Sequence, residues 1–491
     1  MFKKKLTIFL IILAGFILNV LSVQIVGSSF KYLQGSLNAS IDQISYIMSA
    51  SLIAEVIIIP FTGWLARLIS TRVLFLISLG GFLLASLGCA FSNNFFFMVL
   101  FRGLQGFFGG AMLPLMTASI YTLFKKNEIP MILSIAATFG VSSIALGPVL
   151  GGFLTEYLNW RWMFLYNIPI GVVVLILAYF FIDLKDAEKK LLENVDYKGI
   201  FFLAASLISF LLFIEEGERR DWLSSNFIII TLGLSIISFY LFINSEVKTK
   251  YPVVDLNIFF IRNFFIGCIN VLVFSVTLYV PIFLLPIFLG EIRLMEPTDI
   301  GIIISTLGIA WMISGPFVGY LLKFIGARVV VIIGCFFIGS GALLQTQITS
   351  EYMFNELFFS QLLKGFGAQF LWIGNQYICL ASIDQKKVKN ASSMFNLILR
   401  LGAAIFIALS SNTLVKWQKI FYSEISNTYN SSFFYYKNED YNMENMYSLL
   451  SEREGLIMAL NNITFISMWT VLIPILLMFY VKTDNKKELL Y

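Results

Sequence analysis

Apolar stretches of about 20 residues, a length that crosses the hydrocarbon core of a bilayer as a helix, follow one another along most of the 491-residue chain. Short polar turns separate them. Because the backbone has no water to bind inside lipid, helices satisfy its polar groups best. The pattern predicts an all-α integral membrane protein with fourteen transmembrane helices, near residues 5–27, 45–66, 73–92, 95–118, 131–154, 163–183, 199–215, 227–244, 263–289, 299–322, 329–348, 354–381, 392–413 and 459–481.

The first stretch, MFKKKLTIFLIILAGFILNVL, has the basic head and apolar body of a signal peptide. No clean small-residue cleavage site follows it, so we predict that it remains as the first helix.

Composition agrees with this interpretation, because 58% of the residues are hydrophobic and only 13% are charged. An aqueous surface needs about twice that share of charge. The chain has no histidine, and its four cysteines lie far apart within apolar stretches. An enzyme embedded in the membrane would need clusters of such side chains, so we expect no enzyme activity, no metal and no cofactor.

Lysine and arginine are unevenly distributed over the predicted turns. With the N-terminus in the cytoplasm, 22 of them fall on the cytoplasmic side and 9 on the outer side. The positive-inside rule therefore predicts a multi-pass protein of the bacterial inner membrane with both termini cytoplasmic. The net charge of +5 then reflects orientation in the lipid bilayer, and we expect no nucleic-acid partner.

The chain contains an internal repeat, in which PFTGWLARLISTR at 60–72 matches PFVGYLLKFIGAR at 316–328. The offset pairs span 2 with span 10, which predicts two six-helix pseudo-repeats around two extra central helices. The predicted domains are 1–184, a two-helix linker at 185–262, and 263–491 with an outer loop at 414–458. Parallel repeats of this kind are typical of transporters that bind a small molecule near the bilayer midplane. The candidate cytoplasmic gate residues in the repeated turns are Gly63, Arg67, Arg72, Gly319, Lys323 and Arg328.

Three motifs resemble those of the major facilitator superfamily, in its 14-span drug:proton antiporter branch of EmrB/QacA type. They are GPVLGG at 147–152, RGLQG at 102–106 and GWLAR at 63–67. The resemblance implies a secondary active transporter that exports small amphipathic compounds by proton antiport with alternating access, which is multidrug efflux. It also implies a periplasmic adaptor protein as a partner.

The resemblance assigns a gating role to the span 5 motif, because in that family the helix seals the two halves against each other. The motif residues are Gly147, Pro148, Gly151 and Gly152. Gly147 and Gly151 share a smooth ridge with Ser143, on which another helix can approach closely.

Four ionisable residues, Glu55, Arg102, Lys364 and Arg400, lie within predicted spans. Charges at that depth are expensive and mark functional sites. Span 1 has Ser22 where the related exporters have an aspartate, so we predict that Glu55 takes over proton coupling, paired with Arg102. The alternative is a static ion pair that braces the bundle.

The remaining polar residues near mid-membrane depth are candidates for the substrate cavity: Gln24, Gln105, Lys364, Asn375 and Arg400. Cations on both sides of one carboxylate favour an anionic or zwitterionic substrate. Alternatively, Lys364 snorkels or binds backbone carbonyls. Two other functions stay open: a dedicated exporter of an endogenous anionic metabolite such as a carboxylate siderophore, and a non-transporting protein derived from this fold.

Overall fold

The computed structural model describes residues 2–37, 39, 41–125, 127–184, 196–217, 220–249, 252–384, 387–433 and 441–482. Within these ranges every regular element is a helix. The α-helices are α1 (Phe2–Gln24), α2 (Phe30–Leu37), α3 (Ile41–Ile69), α4 (Thr71–Phe91), α5 (Phe95–Gly110), α6 (Met112–Leu123), α7 (Ile129–Tyr157), α8 (Trp162–Leu165), α9 (Asn167–Phe181), α10 (Tyr197–Glu216), α11 (Asn226–Lys248), α12 (Arg262–Ile287), α13 (Pro297–Leu343), α14 (Phe354–Leu380), α15 (Val388–Phe433), α16 (Tyr441–Trp469) and α17 (Leu472–Met478). The start of the predicted linker, 185–195, and the end of the chain, 483–491, lie outside the described residues.

Eleven helices in the described part of the chain are long and apolar enough to cross a membrane. The all-helical membrane class predicted from the hydrophobic pattern is therefore confirmed. The number of helices that meet this measure is below the fourteen predicted spans, partly because the 47 residues of α13 are counted once although they cover two predicted spans.

The internal repeat is visible in the backbone of the two matching turns. Gly326 interrupts α13 with φ 78° and ψ 161°. Ser70, which aligns with it in the repeat, separates α3 from α4 with φ 80° and ψ 152°. Glycine adopts this conformation without a steric penalty, whereas a side chain is strained there. The two turns thus have the same backbone conformation, which is unstrained at Gly326 and strained at Ser70.

Replacing Ser70 with glycine should therefore stabilise the protein by about 1 kcal/mol, the lower end of the cost of such backbone strain. The substitution also removes a weak cap, since Ser70 Oγ accepts a hydrogen bond from the Val73 amide at 3.4 Å. The measurement is the thermal unfolding temperature in detergent. Gly326→Ser is the matched control and should lower that temperature; a fall in both variants would contradict the strain argument.

Two interhelical contacts are also repeated. A Cβ on Gly106 of α5 would overlap the Ser51 carbonyl oxygen of α3, and a Cβ on Gly365 of α14 would overlap the Leu307 carbonyl oxygen of α13. Ser51 and Leu307 are separated by the same 256 positions as the start of the two sequence motifs, Pro60 and Pro316. Only glycine lets the backbones approach this closely.

The most extensive contacts between the N-terminal group, α1 to α9, and the C-terminal group, α12 to α17, are those of α7 with α13 and of α3 with α15. Helix α6 also packs on α15, and α7 on α14. Along the first pair, Ser134 Oγ donates to the Gly315 carbonyl oxygen near one end, and Gly301 faces the Val149 backbone nearer the other. Helices α10 and α11 pack on each other, and α10 also touches α3 and α15.

The predicted outer loop at 414–458 is largely helical. Helix α15 continues to Phe433 and α16 begins at Tyr441. Gly455 of α16 lies against Gln418 and Tyr422 of α15, so the two helices pack as a pair beyond the predicted end of span 13. Polar residues end a hydrophobic pattern without ending a helix, so the segment predicted as an outer loop contains the ends of two helices. Residues 434–440 of this segment lie outside the described residues.

Candidate functional site

Glu55 lies in the middle of α3, and its side chain is 1% exposed. A pair of glycines at the end of α5 makes room for it. A Cβ on Gly110 would lie 2.7 Å from Glu55 Cγ, and a Cβ on Gly109 would overlap the Asn19 side-chain oxygen. The Glu55 carboxylate of α3 and the Asn19 amide of α1 therefore pack directly against the α5 backbone at these two glycines.

The partner of Glu55 is Arg400 of α15, whose Nη2 lies 3.0 Å from Glu55 Oε1. Asn19 Nδ2 donates to the same oxygen at 3.4 Å. Tyr279 of α12 is half-buried and lies close enough to interact electrostatically with both charges. Since α3 belongs to the N-terminal group and α12 and α15 to the C-terminal group, this ion pair joins the two groups.

The predicted pairing of Glu55 with Arg102 is wrong. Arg102 donates to the backbone oxygens of Ile47 at 3.1 Å and Ser22 at 3.2 Å, and to Gln105 Oε1 at 2.5 Å. The direction in which each side chain leaves its helix decides this. Arg102 projects among α1, α3 and α5, whereas Glu55 projects toward α15.

The ion pair retains unused hydrogen-bonding capacity. Glu55 Oε2 and Arg400 Nε are both buried and have no hydrogen-bond partner within the described residues. A carboxylate oxygen in this condition can accept a proton or a ligand donor without first losing another bond. Arg400 also keeps 11% of its side chain exposed, so the pair is not fully sealed.

The other cavity candidates lie apart from this pair. Lys364 Nζ donates to Gln345 in the turn after α13, within the C-terminal group. Gln105 Nε2 donates to Ser86 Oγ on α4 at 2.7 Å, which is the equivalent contact in the N-terminal group. Asn375 is fully buried and neither of its amide atoms has a partner in the described structure. Their assignment to a substrate cavity stays a prediction.

The span 5 glycines face two different neighbours. A Cβ on Gly147 would lie 2.5 Å from Gln24 Cβ of α1, so this glycine packs within the N-terminal group. The Gly151 carbonyl oxygen accepts from Ser29 Oγ at 3.3 Å, on the same side. A Cβ on Gly152 would lie 3.2 Å from Thr298 Oγ1 of α13 in the other group. The Pro148 side chain lies outside the described part.

The predicted gate residues lie at one end of the bundle. Gly63 of α3 faces the Lys389 carbonyl oxygen and Ser393 at the start of α15, and Gly319 of α13 faces Ser134 of α7. The two glycines thus allow both joining helix pairs to approach closely at this end. Arg72 anchors the adjoining turn, because its Nη2 donates to the Tyr179 carbonyl oxygen at 2.6 Å. Lys323 is exposed and Arg328 is half-buried. Arg67, which aligns with Lys323 in the repeat, is half-buried.

Sequence reasoning missed Asn19 and Tyr279. Asn19 had a usable signal, because it is a side-chain amide in the middle of an apolar stretch of the first helix. Tyr279 had none, since the chain contains 21 tyrosines and nothing in the sequence distinguishes this one.

Two groups of membrane-crossing helices, joined by a buried ion pair, define a multi-pass membrane protein with two helix bundles. The chain belongs to the Major Facilitator Superfamily, whose family model matches residues 12–406. This agrees with the resemblance seen in the motifs.

Its relatives include named exporters and resistance proteins. It is 30% identical over 417 residues to the colistin resistance protein EmrB of Acinetobacter baumannii, covering 84% of this chain and 80% of the relative. It is 25% identical to the multidrug export protein EmrB of Escherichia coli K12, covering 84% and 81%. The fatty acid resistance protein FarB of Neisseria gonorrhoeae is 26% identical, covering 80% and 78%.

Solved structures share the fold. The proton:xylose symporter XylE superposes with a TM-score of 0.61 at 13% identity, covering 95% of each chain. The human organic anion transporter MFSD10 superposes with a TM-score of 0.59 at 12% identity, covering 95% of this chain and 99% of that one.

Proposed function

We propose that the protein is a proton-coupled exporter of small amphipathic compounds that works by alternating access. The observation that carries the proposal is the Glu55–Arg400 ion pair, which joins the two helix groups at a buried position. Protonation of the acid in such a pair weakens the attraction between the two helix groups, so it can couple proton binding to their relative movement.

The proposed layout has fourteen spans, with six in 1–184, two in 185–262 and six in 263–491. Eleven of the described helices are both long and apolar enough to cross a membrane. Helices α7 and α14, with 29 and 27 residues, are also long enough to cross it, and each adds one span. Helix α13 counts as two because Gly326 breaks it. The excess of lysine and arginine supports cytoplasmic termini in a bacterial inner membrane. The gate end of the bundle then faces the cytoplasm.

In the proposed cycle, ionised Glu55 attracts Arg400 and holds α3 against α15, which keeps the cytoplasmic gate closed. A proton that binds Glu55 Oε2 removes the negative charge and most of the attraction. Arg400 is then a cation without a counter-charge in a buried site, which costs several kcal/mol. That cost favours a state in which α3 and α15 separate and Arg400 meets water or a substrate.

A second substrate class is an amphipathic carboxylate, and two observations favour it. The relative FarB is named for fatty acid resistance. In this chain, Arg400 loses its negative partner whenever Glu55 is protonated, and a substrate carboxylate would replace that partner. This substrate class covers an endogenous anionic metabolite such as a siderophore.

A periplasmic adaptor remains a proposed partner on the basis of the family relationship. The α15–α16 pair extends beyond the predicted membrane edge and could contact such an adaptor. Helix α15 continues about 20 residues past the predicted membrane edge, which is about 30 Å of helix.

Proton release from energised everted vesicles tests the proposal, since respiration acidifies their interior and an antiporter lets protons out when substrate enters. Adding ethidium, a lipophilic cation, or decanoate, an amphipathic carboxylate, should raise the internal pH only in vesicles that contain the protein. Vesicles without it are the control. Absence of proton release and of accumulation for both compounds would overturn the proposal, and a response to one compound alone would identify the substrate class.

A further inference from the structure

Arg102 is fully buried and is held only by neutral groups. Its hydrogen bonds go to two backbone oxygens and to the Gln105 amide. Its Nη2 has no partner within the described residues. The ring of Phe164 lies beneath it, with 6.0 Å from the guanidinium carbon to the ring centroid.

The surroundings of Arg102 offer further donors and no described ion pair. Ser22, whose carbonyl oxygen Arg102 contacts, has its hydroxyl 3.3 Å from the Tyr166 hydroxyl and 2.7 Å from Asn167 Nδ2. The ion pairs of the described structure do not include Arg102. Glu55, the acid of the neighbouring helix, is already bonded to Arg400.

A guanidinium in this position carries a full positive charge in a medium of low dielectric constant. Burial without a counter-charge is expensive, and proteins avoid it by pairing. Arginine does not escape by losing its proton. The nearest acid, Glu55, acts on Arg102 only at a distance and is bonded to Arg400, so a bound anion would stabilise the Arg102 guanidinium.

We propose that Arg102, with the hydroxyls of Ser22 and Tyr166, binds a monovalent anion as its counter-ion. The anion is either an inorganic halide or a carboxylate group of a bound organic compound. Arg102 Nη2 supplies a charged donor. One of the two hydroxyls donates to the other, so the second keeps its proton free as a neutral donor, and such a pair of donors recognises an anion. This site is separate from the Glu55–Arg400 pair and does not rest on the proposed transport activity.

The test measures the thermal unfolding temperature of the purified full-length protein in detergent, at constant ionic strength set with sodium methanesulfonate, whose anion is neither a halide nor a carboxylate. Replacing methanesulfonate by chloride, or by hexanoate, should raise that temperature by about 3 °C at an anion concentration of about 100 times its Kd. A rise with chloride identifies an inorganic ion, and a rise with hexanoate alone identifies a carboxylate. No rise with either anion overturns the proposal.

Two variants locate the effect. Ser22→Asp introduces a carboxylate next to Arg102 and should abolish the dependence on added anion. Gly80→Ala of α4, where a Cβ would have no atom within 4 Å, is the control outside the site and should keep the dependence. If Ser22→Asp does not yield folded protein, Arg102→Gln removes the charge and should abolish the dependence as well. A dependence that survives in Ser22→Asp or in Arg102→Gln would show that the anion acts elsewhere and would overturn the assignment.

Discussion

Replacing Glu55 with glutamine is expected to abolish the dependence of export on the proton gradient. Glutamine keeps the shape and hydrogen-bonding capacity of the side chain but cannot exchange a proton. In everted vesicles, substrate-induced proton release should fall to the level of vesicles without the protein. Normal proton release in Glu55→Gln would exclude Glu55 as the coupling acid.

The same variant is expected to lose stability, by about 3–5 kcal/mol, because it leaves Arg400 buried without its partner. The double variant Glu55→Gln, Arg400→Met separates the two effects. It removes both charges, so most of the stability should return while coupling stays lost. If the double variant recovers stability and coupling together, the pair is a static brace and protons are carried by another group. Unfolding temperature and proton release should be measured on the same preparations.

Replacing Gly147 with leucine is expected to abolish transport and to destabilise the N-terminal group. A Cβ alone would lie 2.5 Å from Gln24 Cβ and 3.2 Å from the Gln24 backbone carbon. A leucine would need α1 and α7 to move apart, and overpacking of this kind costs at least about 1–3 kcal/mol. Transport and the unfolding temperature in detergent are the measurements.

Two other glycines serve as matched controls. Gly80 of α4 has no atom within 4 Å of a Cβ position, so Gly80→Leu should remain stable and active. Gly152 faces Thr298 across the junction of the two groups, so Gly152→Leu should fold but lose transport, because it weakens only the contact between α7 and α13. Equal behaviour of the Gly147 and Gly152 variants would show that the two faces of α7 do not have separate roles.

The spacing of apolar and polar residues determined the class of fold, since a hydrophobic length sufficient to span lipid is a property of the sequence itself. The aligned motifs at 60–72 and 316–328 likewise predicted the repeat that reappears at Ser70 and Gly326. Membrane depth can also be counted along a helix, so the buried positions of Glu55, Arg102, Lys364 and Arg400 were predictable.

Only the tertiary structure decided which of these charges meet. The partner of a buried charge depends on the rotation of its helix and on which helices cross it, and neither is encoded in distance along the chain. Glu55 therefore pairs with Arg400, 345 positions away, rather than with the nearer Arg102. The same reason explains why one motif contains Gly147 facing α1 and Gly152 facing α13, and why Arg102 lies among neutral groups.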